Sequence, residues 1–495
     1  MNILAIDLGT QSVRAAVVSI QGEIKGIEQI KQEVDVPYPG WAQQDPNKWW
    51  EMAASMIRTV LKKTDTPPEA IAAICSCGQM IGPTGIDDTG TVTTGRTQLW
   101  CDKRCEDQCE VFRKRFGETM LSRITANPPT VGAGGLKVRW LLENQKDRYD
   151  KTRFFLSPKD FINYKLTGVA ATDFSEASAT FLWDASIDAY SEEMADMLGL
   201  DLSKFPPVAK SYEIIGKVTA AAAREAGLVP GIPVMAGGGD FLVSLICLGL
   251  TGAGDAVEMS GTSTLFVVHR DKPIVHPFVQ NLRHVLGGWV PFFMLDCGGL
   301  SMKWCHDLIA SARDADTPYE ELIAMAEEIP AGAEGLIFYP YMLGERRREN
   351  VHSMGGFLGI TLNHSAAHFI RAVMEGVALA IGMNVEVFTE IGVKIETICC
   401  VGGATRNHLW NQIKADVLQT PIKLTDEPEA TLIGAGLLGA LGVGLIDDIG
   451  MVAKKRQTTM RRLLPNPENK KIYQNMLSEF KRVYEHMLGF WQECE

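Results

Sequence analysis

One short pattern occurs twice in this chain, and it restricts the folds open to it. Residues 2–7 form an apolar run ending on Asp7, Gly9-Thr10-Gln11-Ser12 follow, and Val13 to Val18 is again strand-like. In mid-chain, Asp255 to Ser260 lead into Gly261-Thr262-Ser263, and Leu265 to Val268 resumes a β-rich run. In each copy a turn of glycine and hydroxyl residues separates two strand-forming runs, so each predicts a hairpin. A repeat at this long separation implies two related domains and not a solenoid of short units. The length agrees, since 495 residues exceed one ordinary hydrophobic core. Gly249, Gly252 and Gly254 cluster ahead of the second copy. The boundary is therefore expected within 245–254, dividing the chain into 1–246 and 247–495.

Coarse patterning fills in both halves. Gly22 punctuates before a third strand beginning at Glu23-Ile24, residues 47–63 have helical spacing, and Ala70 to Cys75 is a short apolar strand. Residues 136–145 close a helix, and Ser157-Pro158-Lys159-Asp160 opens another with proline in its first turn. The second half predicts a helix over 366–390, a strand over Ile395 to Val401, a helix over 408–419 and a Gly-rich helix over 431–441. Strands alternating with helices indicate α/β layers.

Charge and cysteine usage narrow the class. The net charge is -12, from 48 basic against 60 acidic residues, and no basic run stands out, which argues against nucleic acid as a partner. The N-terminal apolar stretch is too short for a signal segment and is interrupted by Asp7; no run of eighteen apolar residues occurs. No membrane span is expected. The eleven cysteines sit mostly in apolar segments, which suits free thiols in the cytoplasm. Cys101, Cys105 and Cys109 recur every four residues, so on a helix they would share one stripe. Zinc ligands usually arrive from turns as closely spaced pairs, and no second pair follows, so a half-buried helix face is the expectation.

Four glycine-bearing turns concentrate the chemistry. Backbone N–H groups of Gly9-Thr10-Gln11-Ser12 can converge on a phosphate, with the Thr10 and Ser12 hydroxyls and the Arg14 charge beside them. Asp7, at a strand end, is placed to hold a water of hydrated Mg²⁺. Gly261-Thr262-Ser263 repeats the turn, which suggests a two-sided phosphate clamp. Gly237-Gly238-Gly239 after an apolar strand leave Asp240 at a tip, where a carboxylate suits a general base for a hydroxyl nucleophile; the alternative is an N-cap for a helix over 241–250. Gly402-Gly403-Ala404-Thr405-Arg406-Asn407 joins a strand to a helix whose N-terminus favours an anion. No Walker A loop and no protein-kinase motif set occurs.

Taken together these residues resemble the FGGY carbohydrate kinases. The resemblance runs nearly end to end: Gly355 to Glu375 fit the C-terminal signature, Lys137-Val138-Arg139-Trp140-Leu141 fit the upstream one except at Gly134, and Phe338 to Arg346 resemble a Pro-Tyr-Leu-x-Gly-Glu-Arg element. The resemblance implies an α/β fold of the actin/sugar-kinase/chaperone ATPase (ribonuclease H-like) type, with two related domains and a cleft between them. It also implies ATP and Mg²⁺ as cofactors and a small-molecule sugar or polyol as substrate, and it leaves room for a homodimer. Asp240 matches the catalytic base and Asp7 the magnesium-organising carboxylate. Thr10, Gln11, Ser12 and Arg14 match the first phosphate hairpin, and Gly261 and Thr262 the second. Gly299, Lys303, Gly403 and Asn407 fall on the nucleotide site.

The nearest members are xylulokinase-like. Met80, Ile81, Trp100, Asp102 and Phe241 fall on the sugar side with Asp240, and Arg96 and Arg104 flank them. Here the chain departs from the pattern. Ile81 stands where a histidine is usual, Phe241 where asparagine or glutamine is, and Gly132 where glycerol kinases carry a tyrosine. For Asp102 the alternative is a structural turn that starts a helix. The implied activity is ATP-dependent phosphorylation of a pentulose. Its rivals are a glycerol, gluconate or other polyol kinase, a non-catalytic sugar- and nucleotide-binding regulator, and a chaperone- or actin-like ATPase.

Overall fold

A computed structural model describes residues 1–313, 318–345, 352–457 and 460–493. Arg346, in the element expected after Phe338, lies outside them. The first half opens with β1 (Asn2–Leu8), β2 (Ser12–Ser19) and β3 (Ile24–Lys31), followed by α1 (Pro46–Lys63) and β4 (Ile71–Gly78). A helical lobe follows, including α2 (Glu106–Phe116), α3 (Gly134–Asn144), α4 (Pro158–Thr167) and the five-residue α5 (Phe174–Ser178). The half closes with β5 (Ile214–Lys217), β6 (Pro233–Met235), β7 (Gly238–Gly239) and α6 (Asp240–Cys247). The sheet runs β5-β6-β4-β1-β2-β3, with β7 also on β4; β1, β4 and β6 are parallel, and the hairpin strands antiparallel.

The second half repeats this plan with β8 (Asp255–Ser260), β9 (Thr264–Val268), β10 (Gln280–Arg283) and β11 (Trp289–Leu295). Then come α7 (Gly299–Arg313), α8 (Ala366–Glu390), β12 (Thr397–Gly402), α9 (His408–Leu418) and β13 (Ile422–Thr425). The described chain ends with α10 (Ala430–Gly442), β14 (Arg461–Leu463) and α11 (Lys470–Gln492). Its sheet runs β10-β11-β9-β8-β12-β13-β14, so hairpin, crossover helix and parallel strands recur in the same order as in the first. The duplicated hairpin therefore marks a duplicated architecture.

Side chains of β1 alternate strictly between two cores. Ile3 and Ala5 face one cluster, and Leu4, Ile6 and Leu8 face another that contains the α1 residues Trp49, Ile57 and Val60. Both faces are covered, which is why the strand reads as one apolar run and not as an alternation with polar residues. The first cluster joins the halves. It holds Leu242, Val243 and Ile246 of α6, Leu432, Ala435 and Leu438 of α10, and Val257, Val267 and Phe292 from the second sheet. Helix α10, late in the chain, packs against β1, β2 and β4 of the first sheet. Its glycines permit the approach: a Cβ at Gly436 would sit 2.5 Å from Val18, and one at Gly439 2.7 Å from Ile3.

Two sequence expectations change here. Helix α2 starts only at Glu106, so Cys101 is not on the stripe: it packs toward the α1 core, while Cys105 and Cys109 are buried in the helical lobe. No group of three metal-ligating side chains occurs among the described residues. The helix after Asp240 ends at Cys247 rather than at 250, because Gly249 turns the chain with φ 79°. Helix α8 is long and apolar enough to cross a membrane, but 83% of its apolar window is buried inside the protein, making it a core helix.

Candidate active site

Of the expected site residues, Asp7, Arg14, Asp240 and Phe241 of the first half and Gly403, which follows β12 in the second, line one cavity. A cavity of about 550 Å³ is lined by Asp7, Gly9, Arg14, Asp240 and Phe241 from the first half, and by Met259, Gly403 and Arg406 from the second. A cavity of about 610 Å³ between α2 and β11 contains neither Asp7 nor Asp240. The smaller one is the better candidate, since open α/β sheets bind ligands beyond the carboxyl ends of their strands.

Asp240 owes its place to the three glycines. Gly237 has φ 72°, and a Cβ there would lie 1.8 Å from the Ser76 carbonyl oxygen, so only glycine lets the chain lie against β4. Gly238 and Gly239 then pair with Cys77 and Gly78, and the helix starts at Asp240. The carboxylate accepts the Phe241 N–H at 2.6 Å, so it partly caps its own helix. Burial, reinforced by the neighbouring Asp7 carboxylate, pushes the Asp240 carboxyl up to about 7. That value is suited to a base working near neutral pH.

Asp7 is buried, and burial raises its pKa against the opposing pull of Arg14. Arg14 binds Asp7 Oδ2 through Nε at 2.9 Å and also through Nη2. Its Nη1 reaches Glu429 at 2.8 Å, 415 residues away at the head of α10. Asp7 Oδ1 is buried without a hydrogen-bond partner among the described residues. An orphaned hard oxygen beside a second carboxylate fits a divalent cation such as Mg²⁺, which typically takes one or two carboxylates plus phosphate and water oxygens. Gly403 lines the cavity with nothing within 4 Å of where a Cβ would stand, which leaves room for a ligand against the backbone.

The first turn is tied into its surroundings. Thr10 Oγ1 donates to Gln79 Oε1 at 3.1 Å and accepts from Trp100 Nε1 at 3.1 Å; Gln79 in turn donates to Gln44, which also receives the Trp49 indole N–H. Gln11 is exposed and Ser12 half-buried, and the turn closes through the Gly9 N–H to the Ser12 carbonyl oxygen. In the second turn Gly261 and Thr262 are exposed, and their carbonyl oxygens accept from the N–H groups of Gly299 and Leu300, so Gly299 stands directly behind them.

Other expected residues are committed elsewhere. Lys303 is exposed on α7 and pairs with Asp307 at 2.6 Å, outside the cavity. Asn407 caps α9, accepting the Trp410 N–H at 2.9 Å. Asp102 has no exposed surface: it accepts from the Ala42 N–H at 2.7 Å and is gripped by Arg104, itself 3.6 Å over the Trp41 ring. This is the structural turn and not a face open to a sugar, because both its oxygens are used. Arg96 pairs with Asp45. Trp100, by contrast, is half exposed above the first turn.

Met80, Ile81 and Phe241 do converge. Met80 packs where a Gly239 side chain would be, and the Phe241 ring meets Phe292 edge-on at 5.6 Å. Phe292 and Ile81 line a smaller cavity of about 120 Å³ with Gly132, Phe181 and Leu282. Ile81 has φ 76°, a conformation that β-branched residues avoid. Sequence reasoning missed Glu429, Glu176 and Lys159. Glu429 had no local signal, since its partner lies in the other half.

Comparison with known proteins agrees with this geometry. Residues 2–247 match the N-terminal domain of the FGGY family of carbohydrate kinases, and residues 256–443 match its C-terminal domain. The chain is 26% identical to the xylulose kinase of Bacillus subtilis (strain 168), over 98% of this chain and 97% of that one. It is 29% identical to the autoinducer-2 kinase of Yersinia pestis (strain Pestoides F), over 98% and 94% respectively. The crystal structure of xylulose kinase from Rhodospirillum rubrum superposes with a TM-score of 0.92 at 27% identity, covering 99% of this chain and all of that one. The architecture is that of the actin/sugar-kinase/chaperone ATPases, and the chain belongs to the FGGY family of carbohydrate kinases.

Proposed function

We propose that the protein transfers the γ-phosphoryl group of MgATP to a hydroxyl of a small ketose of the pentulose class, in the cytoplasm. The carrying observation is Asp240: a carboxylate at a strand end, beside Asp7 in the cavity between the halves, with its pKa pushed up to about 7. In this reading residues 1–246 hold the sugar and one phosphate turn, and residues 247–495 hold the nucleotide. Asp240 accepts the proton of the attacking hydroxyl as its oxygen reaches phosphorus. Asp7, through Oδ1, would hold Mg²⁺ by way of its water; the ion neutralises charge on the transferring group. The N–H groups of the two turns clasp the polyphosphate from opposite sides, and the Thr262 hydroxyl adds a donor. Gly403 gives the nucleotide a flat surface of backbone. Closure of the two halves excludes water and so limits idle ATP hydrolysis.

The names of the relatives support a pentulose, and the small cavity shapes which one. Ile81, Phe181, Leu282 and Phe292 make one apolar wall of it, and Asn127, Asn281 and Ser178 spend their side chains on backbone groups, which leaves Thr130 and Gln280 as the other polar side chains of the lining. A hydroxyl pressed against that wall without a partner costs about 1–3 kcal/mol. We therefore expect a pentulose analogue with fewer hydroxyls at that end to outperform D-xylulose. The test is ADP release over a panel of ketoses, deoxyketoses, polyols and aldonates, with a sugar-free control. Ketose-dependent turnover well above the control supports the reading. Turnover only with aldonates or glycerol, or none beyond the control, overturns it.

A further inference from the structure

Helix α5 is only five residues long, yet three of its side chains hold three different parts of the site. Asp173 caps it, accepting the Ser175 N–H at 2.9 Å. Ser175 Oγ accepts the Gly239 N–H at 3.0 Å, one residue before Asp240. Glu176 Oε2 accepts the Ile81 N–H at 3.1 Å. Ser178 Oγ accepts the Arg283 N–H of β10 at 2.9 Å, across from the second half. Beneath the helix, Lys159 is wholly buried. It pairs with Asp160 and with Asp173 at 3.0 Å, and donates to the Ala236 carbonyl oxygen at 3.1 Å, at the root of the glycine loop.

Ile81 is the costly member of this arrangement. A β-branched residue in the left-handed region is strained and persists only where its surroundings impose it. The hydrogen bond from its N–H to Glu176 is such an imposition. Glu176 is 4% exposed, and its Oε1 has no partner among the described residues. Glu176 lines a cavity of about 40 Å³ together with Ile81 and Gly134. The volume is room for about one water. A buried carboxyl with one oxygen spent on a strained backbone N–H is an expensive device, and its location behind the sugar-facing wall says what it is for.

We infer that Glu176 is a positioning residue that clamps Ile81 in its left-handed conformation and thereby sets the shape of the sugar pocket. The inference rests on the pentulose-kinase reading, in which Ile81 faces the sugar. Three variants test it on the full chain: Glu176→Leu, Glu176→Gln and Ile81→Gly. Glu176→Leu keeps volume and removes the acceptor; it should raise KM for the best ketose of the panel about tenfold or more, leave KM for ATP within about twofold, and narrow the preference among ketoses. Glu176→Gln keeps an acceptor for the Ile81 N–H and should stay within about threefold of the parent. Ile81→Gly adopts the conformation unaided, so Glu176→Leu should cost less in that background, both in KM and in Tm. The Tm cycle needs no turnover: if the parent phosphorylates no ketose, the pentulose reading fails, and non-additive Tm shifts still support the clamp. The clamp is overturned if the two substitutions add independently, if Glu176→Gln is as damaging as Glu176→Leu, or if Glu176→Leu lowers Tm with both KM values and the sugar preference unchanged.

Discussion

In the first hairpin Asp7 stands opposite Arg14; at the same two positions of the second, Met259 stands opposite Leu265. Each turn is closed by the N–H of its leading glycine, but the first is one residue longer: the Gly9 N–H bonds to Ser12 and the Gly261 N–H to Ser263. Thr10 has its hydroxyl engaged with Gln79 and Trp100, whereas the Thr262 hydroxyl has no partner among the described residues. The charged groups of the second hairpin lie behind it. Glu258 and Lys414 pair at 2.8 Å, both about 1% exposed, and Ser260 bonds to each. Duplication thus preserved the N–H donors while the ionised chemistry stayed in one copy. There is a physical reason: the backbone N–H donors of a glycine turn can serve a phosphate whatever side chains flank them, so the second copy needs no ion pair of its own.

The most severe way to break the comparison is to neutralise Asp240, the carboxylate proposed as the base beside the charged hairpin. Asp240→Asn should keep the fold and nucleotide binding and lose about 10²–10⁴ in kcat, measured by coupled ADP release. Asp7→Asn, which moves the first hairpin toward the neutral state of the second, should cost about 10²–10³ in kcat. The parent kcat/KM should rise with pH through about 7 and level above it, because Asp240 must be deprotonated to accept a proton and its carboxyl is pushed up to about 7. Asp7 contributes to that rise, so in Asp7→Asn the inflection should move to lower pH; an unmoved inflection would separate the two carboxylates.

Smaller effects sharpen the contrast between the turns. Thr262→Val should raise KM for ATP about tenfold without changing Tm, since its hydroxyl has no protein partner among the described residues to lose. Thr10→Val should lower Tm as well, because it opens the Gln79 network; equal behaviour of the two variants would remove the distinction. The smallest change is expected from Glu429→Gln. The Arg14–Glu429 pair is partly exposed, with side chains 20% and 26% accessible. Its loss should alter KM for ATP by about fivefold at most, and less at high salt.

Much of the frame was readable in the residues. Both hairpins, the helix over 366–390 and the strand leading to Gly402 follow from runs, glycines and caps that act over a few residues. The place of Asp240 was legible because three glycines after an apolar strand allow the close packing that sets a carboxylate at the head of the next helix. For Asp102 the structural turn was one of the two readings the sequence left open. Lys303 and Asn407 pair locally, with Asp307 and the Trp410 N–H, and the sequence does not show which of several nearby groups a polar side chain will take. The cysteine stripe failed for a similar reason: a helical period was read five residues before the helix begins.

Local order therefore determined by itself where this chain makes strands and helices, that it does so twice, and which carboxylate stands after the glycine loop. Those outcomes depend on periodicity and on backbone sterics within a few residues. The tertiary structure alone decided that Arg14 meets Glu429, that α10 returns to lie on the first sheet, and that Ile81 is held in the left-handed region by Glu176. Each of these depends on burial between segments far apart in the chain, where desolvation makes a partner obligatory but nothing local specifies which one.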